Sequence, residues 1–346
     1  MSATHMSGPL FVGGVQVGLG GLLPTTGRNW FLSPSTSAQN PGADGNDGLS
    51  LNTPKGTLKA CYDLMADGDT LYIMPYKSSD GWALIPTATA SGVTTGFNWA
   101  LNNCRVIGLG AYGNLEGRAS IRLGASDTTT TTLFTVSGYG NQFNNIYWAM
   151  ESAVLTQRCL TVTGYRNVFY DCSIAGMLVQ AAANDVNSRC LLIDGGGTGQ
   201  VGANKFVRCH IGANTIQRAN VAVAEIEVKG MAARNEFEDC YVWTNALTGG
   251  TNANLFLICA ASSIQDILTL KNCLMINCSN YNGAVGNNLM AKAINVSATS
   301  GGVVALPGTQ VAGVVAGALQ VANNGNVLVD GVGGAATGGR MIVATG

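Results

Sequence analysis

Apolar and polar residues alternate along this chain in short bursts of period two, and the bursts come in recurring pairs. Alternation at Leu160 and Val162, at Leu191 and Ile193, and at Ile226 and Val228 predicts a series of strands. After each comes a fixed phrase: Asn, any residue, Phe, two residues, Cys, one residue, then an aliphatic. It reads Asn167, Phe169, Cys172, Ile174, then Asn204, Phe206, Cys209, Ile211, then Asn235, Phe237, Cys240, Val242. An earlier copy holds Asn141, Phe143, Ile146 and Trp148, and a degenerate later one ends Leu270, Cys273, Met275. The Phe positions lie 26, 37, 31 and, to Leu270, 33 residues apart. A constant phrase at varying intervals means that loops vary while a framework repeats.

Side-chain geometry turns the phrase into a shape. Cys240 and Val242 can share one face of a strand, whereas Phe237 and Cys240, three apart, cannot both face inward unless the chain bends between them. Each unit is then strand, turn with Asn, corner after Phe, and strand with Cys. A parallel β-helix requires such repetition, because each coil lays its strands on those of the coil before, about 4.8 Å away. The expectation is an asparagine ladder (Asn141, Asn167, Asn204, Asn235) at a bend where Asn tolerates left-handed backbone, and an inward cysteine column (Cys172, Cys209, Cys240, Cys273).

Residues 40–73, NPGADGNDGLSLNTPKGTLKACYDLMADGDTLYI, predict a short helix capped by Thr53, with Pro54 in its first turn and Leu58, Cys61, Tyr62 and Met65 on one side. Gly68 ends it and a strand begins. Such a helix near 54–66 covers the open edge of a first coil. The phrase DGNDGLSLNTPKGTLKAC followed by GDTLYIMP resembles the start of right-handed parallel β-helix domains of the pectate-lyase-like family, common in bacteriophage tailspikes and virion surface proteins. The resemblance implies an all-β, single-stranded β-helix over residues 29–280, flanked by a Gly-rich N-terminal arm at 1–28 and a Gly/Ala/Val-rich β segment at 281–346. The fold hosts lyases, hydrolases and inert spikes alike.

Composition shifts the picture toward assembly. Charged residues make up 11% of 346, against about 25% in an average soluble protein, and Gly reaches 47. So thinly charged an outside suits sister subunits or a larger body. The net charge of −1 offers no basic field, which sets aside nucleic acid and membrane partners. Leu10–Leu23 lacks a preceding positive charge and is too short and Gly-rich for a span, and Val303–Val321 is interrupted by Pro307 and Gln310. No export signal is expected, so the ten cysteines read as thiols. No cofactor or metal is implied. His5 and His210 are too few for a metal or relay site, Asp44, Asn46 and Asp47 read as an Asx-rich turn, and GGGTGQVG at 195–202 reads as an insertion.

Carbohydrate-cleaving relatives of this fold use clustered carboxylates, sometimes with Arg or Ca²⁺. Here Glu225 and Glu227 alternate with inward Ile226 and Val228 and are expected to project outward together, followed by Glu236, Glu238 and Asp239 in the next turn. They read as solvated surface charge, with Asp194 over Lys229 as a salt bridge. No lyase or hydrolase motif transfers residue by residue, so a non-enzymatic chain is expected. The same alternation places Tyr241 and Trp243 outside, with Leu274 and Ile276 beside them on the adjoining coil. This strip reads as a subunit interface in a homotrimer, with an aromatic sugar platform as the rival. The sequence reading is thus a phage virion structural protein, a capsid decoration or head spike or else a short tailspike, made in host cytoplasm and bound to other virion proteins through its arm, with a host surface glycan as a further candidate partner. The alternative is a polysaccharide-binding or polysaccharide-degrading β-helix enzyme.

Overall fold

The structure is a computed structural model that describes residues 10–12, 15–17, 27–33, 41–75, 96–110, 119–125, 127–197, 201–218, 223–246, 254–279, 289–314, 319 and 327–329. Each full coil contributes one strand to each of three sheets. In one coil these are Arg158–Val162 in the first sheet, Val168–Tyr170 in the second and Ser173–Met177 in the third. Every pairing within the three sheets is parallel and runs from one coil to the next, with seven, ten and seven described strands respectively. The chain therefore winds as a right-handed parallel β-helix.

Register confirms the stacking residue by residue. Val106, Phe143, Phe169, Phe206, Phe237 and Leu270 occupy one column of the second sheet. Phe169 and Phe206 stack with centroids 4.6 Å apart and planes 4° from parallel, and Phe206 and Phe237 at 4.7 Å and 9°. Each such contact adds about 0.5–1.5 kcal/mol beyond area burial. Cys172, Cys209, Cys240 and Cys273 follow in the next column, all buried, and each Sγ donates to the carbonyl of a Phe one coil back, as from Cys209 to Phe169 at 3.3 Å. Burial pushes the Cys209 and Cys240 thiols well above their ordinary range, so they behave as small apolar groups.

The bend between Phe and Cys is a single left-handed residue in each coil: Asn145, Asp171, Arg208, Asp239 and Asn272, with φ between 52° and 55°. The asparagine ladder has a different basis from the one expected. Asn167, Asn204 and Asn235 are not themselves left-handed; the residue before each one is, namely Arg166, Ala203 and Arg234. The ladder residues are held by their amides. Asn141 donates from its backbone N and its Nδ2 to Oδ1 of Asn167, at 3.0 and 3.1 Å. Asn167 does the same to Asn204, and Asn204 to Asn235. A spare Nδ2 bond reaches Gly138 O from Asn167 and Gly164 O from Asn204. Buried turns thus keep their polar groups paired.

The helix near the start is shorter than expected, Leu58–Tyr62, and its cap is Thr57, whose Oγ1 accepts from Ala60 N at 3.2 Å. The shift has a local cause. Asp44 accepts from Gly56 N, Thr57 N and Thr57 Oγ1, and Lys55 makes a bridge to Leu32, so Pro54 and Lys55 stay extended. Thr53 is bonded to Ser50 and Asp47 instead. Leu58 and Cys61 still pack into the core. Leu10–Val12 and Val15–Val17 of the arm form a two-stranded antiparallel sheet, while His5 and much of the segment 281–346 lie outside the described residues.

Candidate functional site

Three surfaces carry polar or aromatic chemistry, and the helix places them on different sides. Charge along the first sheet departs from expectation. Glu225 does not project outward: it is fully buried and shares a column with Cys190 and Phe256, both part of the continuous core. The reason is a break in alternation. Cys190 and Leu191 are adjacent in sequence yet both belong to the core, and Glu225 and Ile226 occupy the matching positions one coil on. Glu225 is balanced by Arg218, whose Nη2 lies 2.6 Å from its Oε2 and whose Nη1 donates to Ala183 O at 2.7 Å. Cys190 Sγ donates to the same Oε2 at 2.9 Å, and Oε1 has no hydrogen-bond partner. A carboxylate committed in this way cannot serve a substrate.

Glu227 is recessed and paired with Arg189 at 2.9 Å. Glu236 and Glu238 bracket Lys205, and Glu238 also meets Lys271 at 2.8 Å. Those lysines hold the Glu238 carboxyl down to about 2. Asp194 sits over Lys229 at 3.0 Å as expected. Surface pairs of this kind contribute little individually, and here they line up outward side chains of successive coils.

The outer face of the third sheet is where exposed chemistry gathers. Tyr241 and Leu274 are in register, as are Trp243 and Ile276, so the four residues form one strip. Tyr241 is 40% exposed, and the other three are half-buried. Alternation did not bring His210 into the strip, yet it sits directly beside Tyr241 one coil back. Its ring centroid is 5.1 Å from that of Tyr241 and 5.0 Å from that of Trp243. The signal was present, since aligning the Cys209 and Cys240 phrases puts His210 over Tyr241. Burial holds the His210 imidazole below its ordinary pKa, so it is a neutral ring at pH 7.

Gly212 completes the platform by leaving room. A Cβ there would lie 2.0 Å from Trp243 O, and its φ of 94° suits glycine. Beside the rings runs the corner column. Arg208 grips Asp171 with two bonds, Nε to Oδ1 at 2.6 Å and Nη2 to Oδ2 at 2.9 Å. Asp239, one coil on from Arg208, is exposed and has no ion pair among the described residues. Aromatic faces edged by a guanidinium and a carboxylate can stack a sugar ring and hydrogen-bond its hydroxyls.

No protein-family model and no curated protein matches this sequence. Solved structures do match its shape. A pectate lyase, Pel9A, superimposes with TM-score 0.51 at 14% identity, covering 87% of this chain and 78% of its own. A rhamnogalacturonan lyase gives 0.50 at 14% identity, covering 83% and 74%. The chain has the pectate-lyase-like parallel β-helix fold. These neighbours bear out the lyase side of the resemblance and not the bacteriophage side. The expectation of a non-enzymatic chain is corrected as well, since both of these matched structures are lyases. That expectation rested on the lack of a transferable motif. At 14% identity a shared shape coexists with mostly different side chains, so a missing motif carries no weight.

Proposed function

We propose that the protein is a polysaccharide-active β-helix enzyme that holds a sugar chain on the outer face of its third sheet. The observation that carries this reading is the three-ring cluster of His210, Tyr241 and Trp243, partly exposed and set on a rigid sheet. Rings on strands keep their spacing without ordering cost when a ligand arrives. Asp239 and the Asp171–Arg208 pair are the ionisable groups beside the rings, and we assign proton transfer to Asp239 with Arg208 as the electrostatic partner. The shape shared with two lyases supports the substrate class as a polysaccharide.

Incubation with a panel of neutral and acidic polysaccharides, followed by viscosity, reducing ends and ultraviolet absorbance of unsaturated products, tests the reading. Cleavage of one panel member is expected, with Asp239→Asn binding but not cleaving it and Trp243→Ala losing both. Absence of binding and cleavage across the panel overturns it. A second reading concerns assembly. The half-buried aliphatics Leu274 and Ile276, on a chain with 11% charged residues, favour a homotrimer that covers the Leu274–Ile276 end of the strip. Light scattering on the full chain tests the assembly: three copies support it and a soluble monomer removes it.

A further inference from the structure

The turns that join the first sheet to the second form their own surface, away from the third sheet. Their left-handed residues stack coil on coil as Gly140, Arg166, Ala203 and Arg234. Backbone bonds fix the stack, from Gly140 N to Tyr165 O, Arg166 N to Gly202 O, and Ala203 N to Ala233 O, at 2.8 to 3.1 Å. A groove of about 540 Å³ opens here, lined by Tyr165, Arg166, Ala203, Arg234, Gln265 and Asp266 among others. At one end Tyr139 and Tyr165, each more than a third exposed, stack with centroids 5.0 Å apart and planes 10° from parallel.

Charge in the groove is cationic at two points and open between them. Arg166 is exposed, lies over the Tyr165 ring at 5.9 Å, and has no acidic partner among the described residues. Arg234 meets Asp266 through Nε at 2.7 Å, a pair exposed enough for an anion to compete with. Ala203 separates the two arginines with a side chain too small to fill the space. Two coil repeats of about 4.8 Å put the arginine backbones roughly 10 Å apart. Alternate residues of an extended sugar chain lie at a comparable distance.

We propose that this turn-edge groove is a second saccharide site, which takes a chain bearing an anionic group on alternate residues. Arg166 and Arg234 each face one acidic sugar, Ala203 floors the neutral sugar between, and the Tyr139–Tyr165 pair receives the ring at the end. The inference rests on the reading that the protein handles polysaccharide, and it adds the charge pattern that the chain would carry.

The test is affinity electrophoresis and titration of the full chain with hyaluronate oligosaccharides, whose carboxylates fall on alternate residues. Polygalacturonate, neutral dextran and dextran sulfate are the comparisons. Hyaluronate is expected to bind, weakening as salt rises, and Arg166→Gln and Ala203→Glu are each expected to lose at least tenfold. Arg166 and Ala203 are exposed, and unchanged circular dichroism certifies the fold of each variant. Trp243→Ala is expected to leave this binding intact. If Trp243→Ala abolishes hyaluronate binding and Arg166→Gln does not, the groove proposal falls while the platform survives. Equal or tighter binding of dextran sulfate or polygalacturonate shows charge density without pattern and also overturns it.

Discussion

Replacing Glu225 by Gln tests the least expected feature of the core. The substitution keeps size and shape and removes the charge that balances Arg218, whose side chain is only 5% exposed. Arg218 would retain Ala183 O and the Cys190 thiol as neighbours, neither of which neutralises a guanidinium. Breaking one side of a buried pair costs about 3–5 kcal/mol, because the remaining charge stays desolvated. Replacing both partners, as Arg218→Met with Glu225→Leu, is expected to fall within about 1 kcal/mol of the parent or above it. The single variant is therefore expected to be less stable than the double one by about 2 kcal/mol or more. Urea unfolding followed by circular dichroism measures both. Hydrogen exchange at Ile226 and Leu255 localises the loss to the coils that hold the pair, as stacked repeats can open in part. A Glu225→Gln loss under about 0.5 kcal/mol, the value of a surface change, would refute the buried placement. So would a double variant as unstable as the single one.

Other consequences are open to simpler assays. Asn167→Leu removes an acceptor from Asn141 and leaves Gly138 O and Asn204 Oδ1 short of donors, so a loss of about 2–5 kcal/mol is expected in denaturant unfolding. A loss below about 1 kcal/mol would mean the amide ladder is not formed. His210 is held below its ordinary pKa by burial, so the folded chain binds fewer protons than the unfolded one under about pH 6.5. Stability is therefore full above that pH and declines as pH falls through it, and His210→Gln should abolish this part of the slope in thermal melts. Nine of the ten cysteines are buried and Cys278 is half-buried, so a thiol reagent should modify at most one in the native protein and ten in denaturant.

The helix itself was legible because its columns are written as a phrase. Asn, Phe and Cys recur at fixed offsets since each must meet its own kind one coil away, and loop lengths do not disturb that requirement. The turn chemistry was less legible. Left-handed backbone falls on Arg166, Ala203 and Arg234, residue types that give no such signal, while the neighbouring asparagines are selected for their amides. Glu225 was misplaced by counting parity along one strand. Aligning it with Cys190 and Phe256, both apolar, would have set it inside, because strand alternation breaks where the chain turns from the third sheet into the first. The capping helix was placed a turn early because Asp44 sets the cap from twelve residues upstream of Gly56, a contact that local propensity does not encode.

The account turns on whether the ring cluster of the third sheet holds sugar. The most direct measurement is Trp243 fluorescence during titration with the polysaccharide selected from the panel, compared with Trp243→Phe and with Tyr241→Ala. Stacking of a sugar ring should change the emission saturably, vanish as a signal in Trp243→Phe, and weaken at least tenfold in Tyr241→Ala. Binding detected by an independent method with no change in Trp243 emission, and with full affinity retained in Tyr241→Ala, would contradict it.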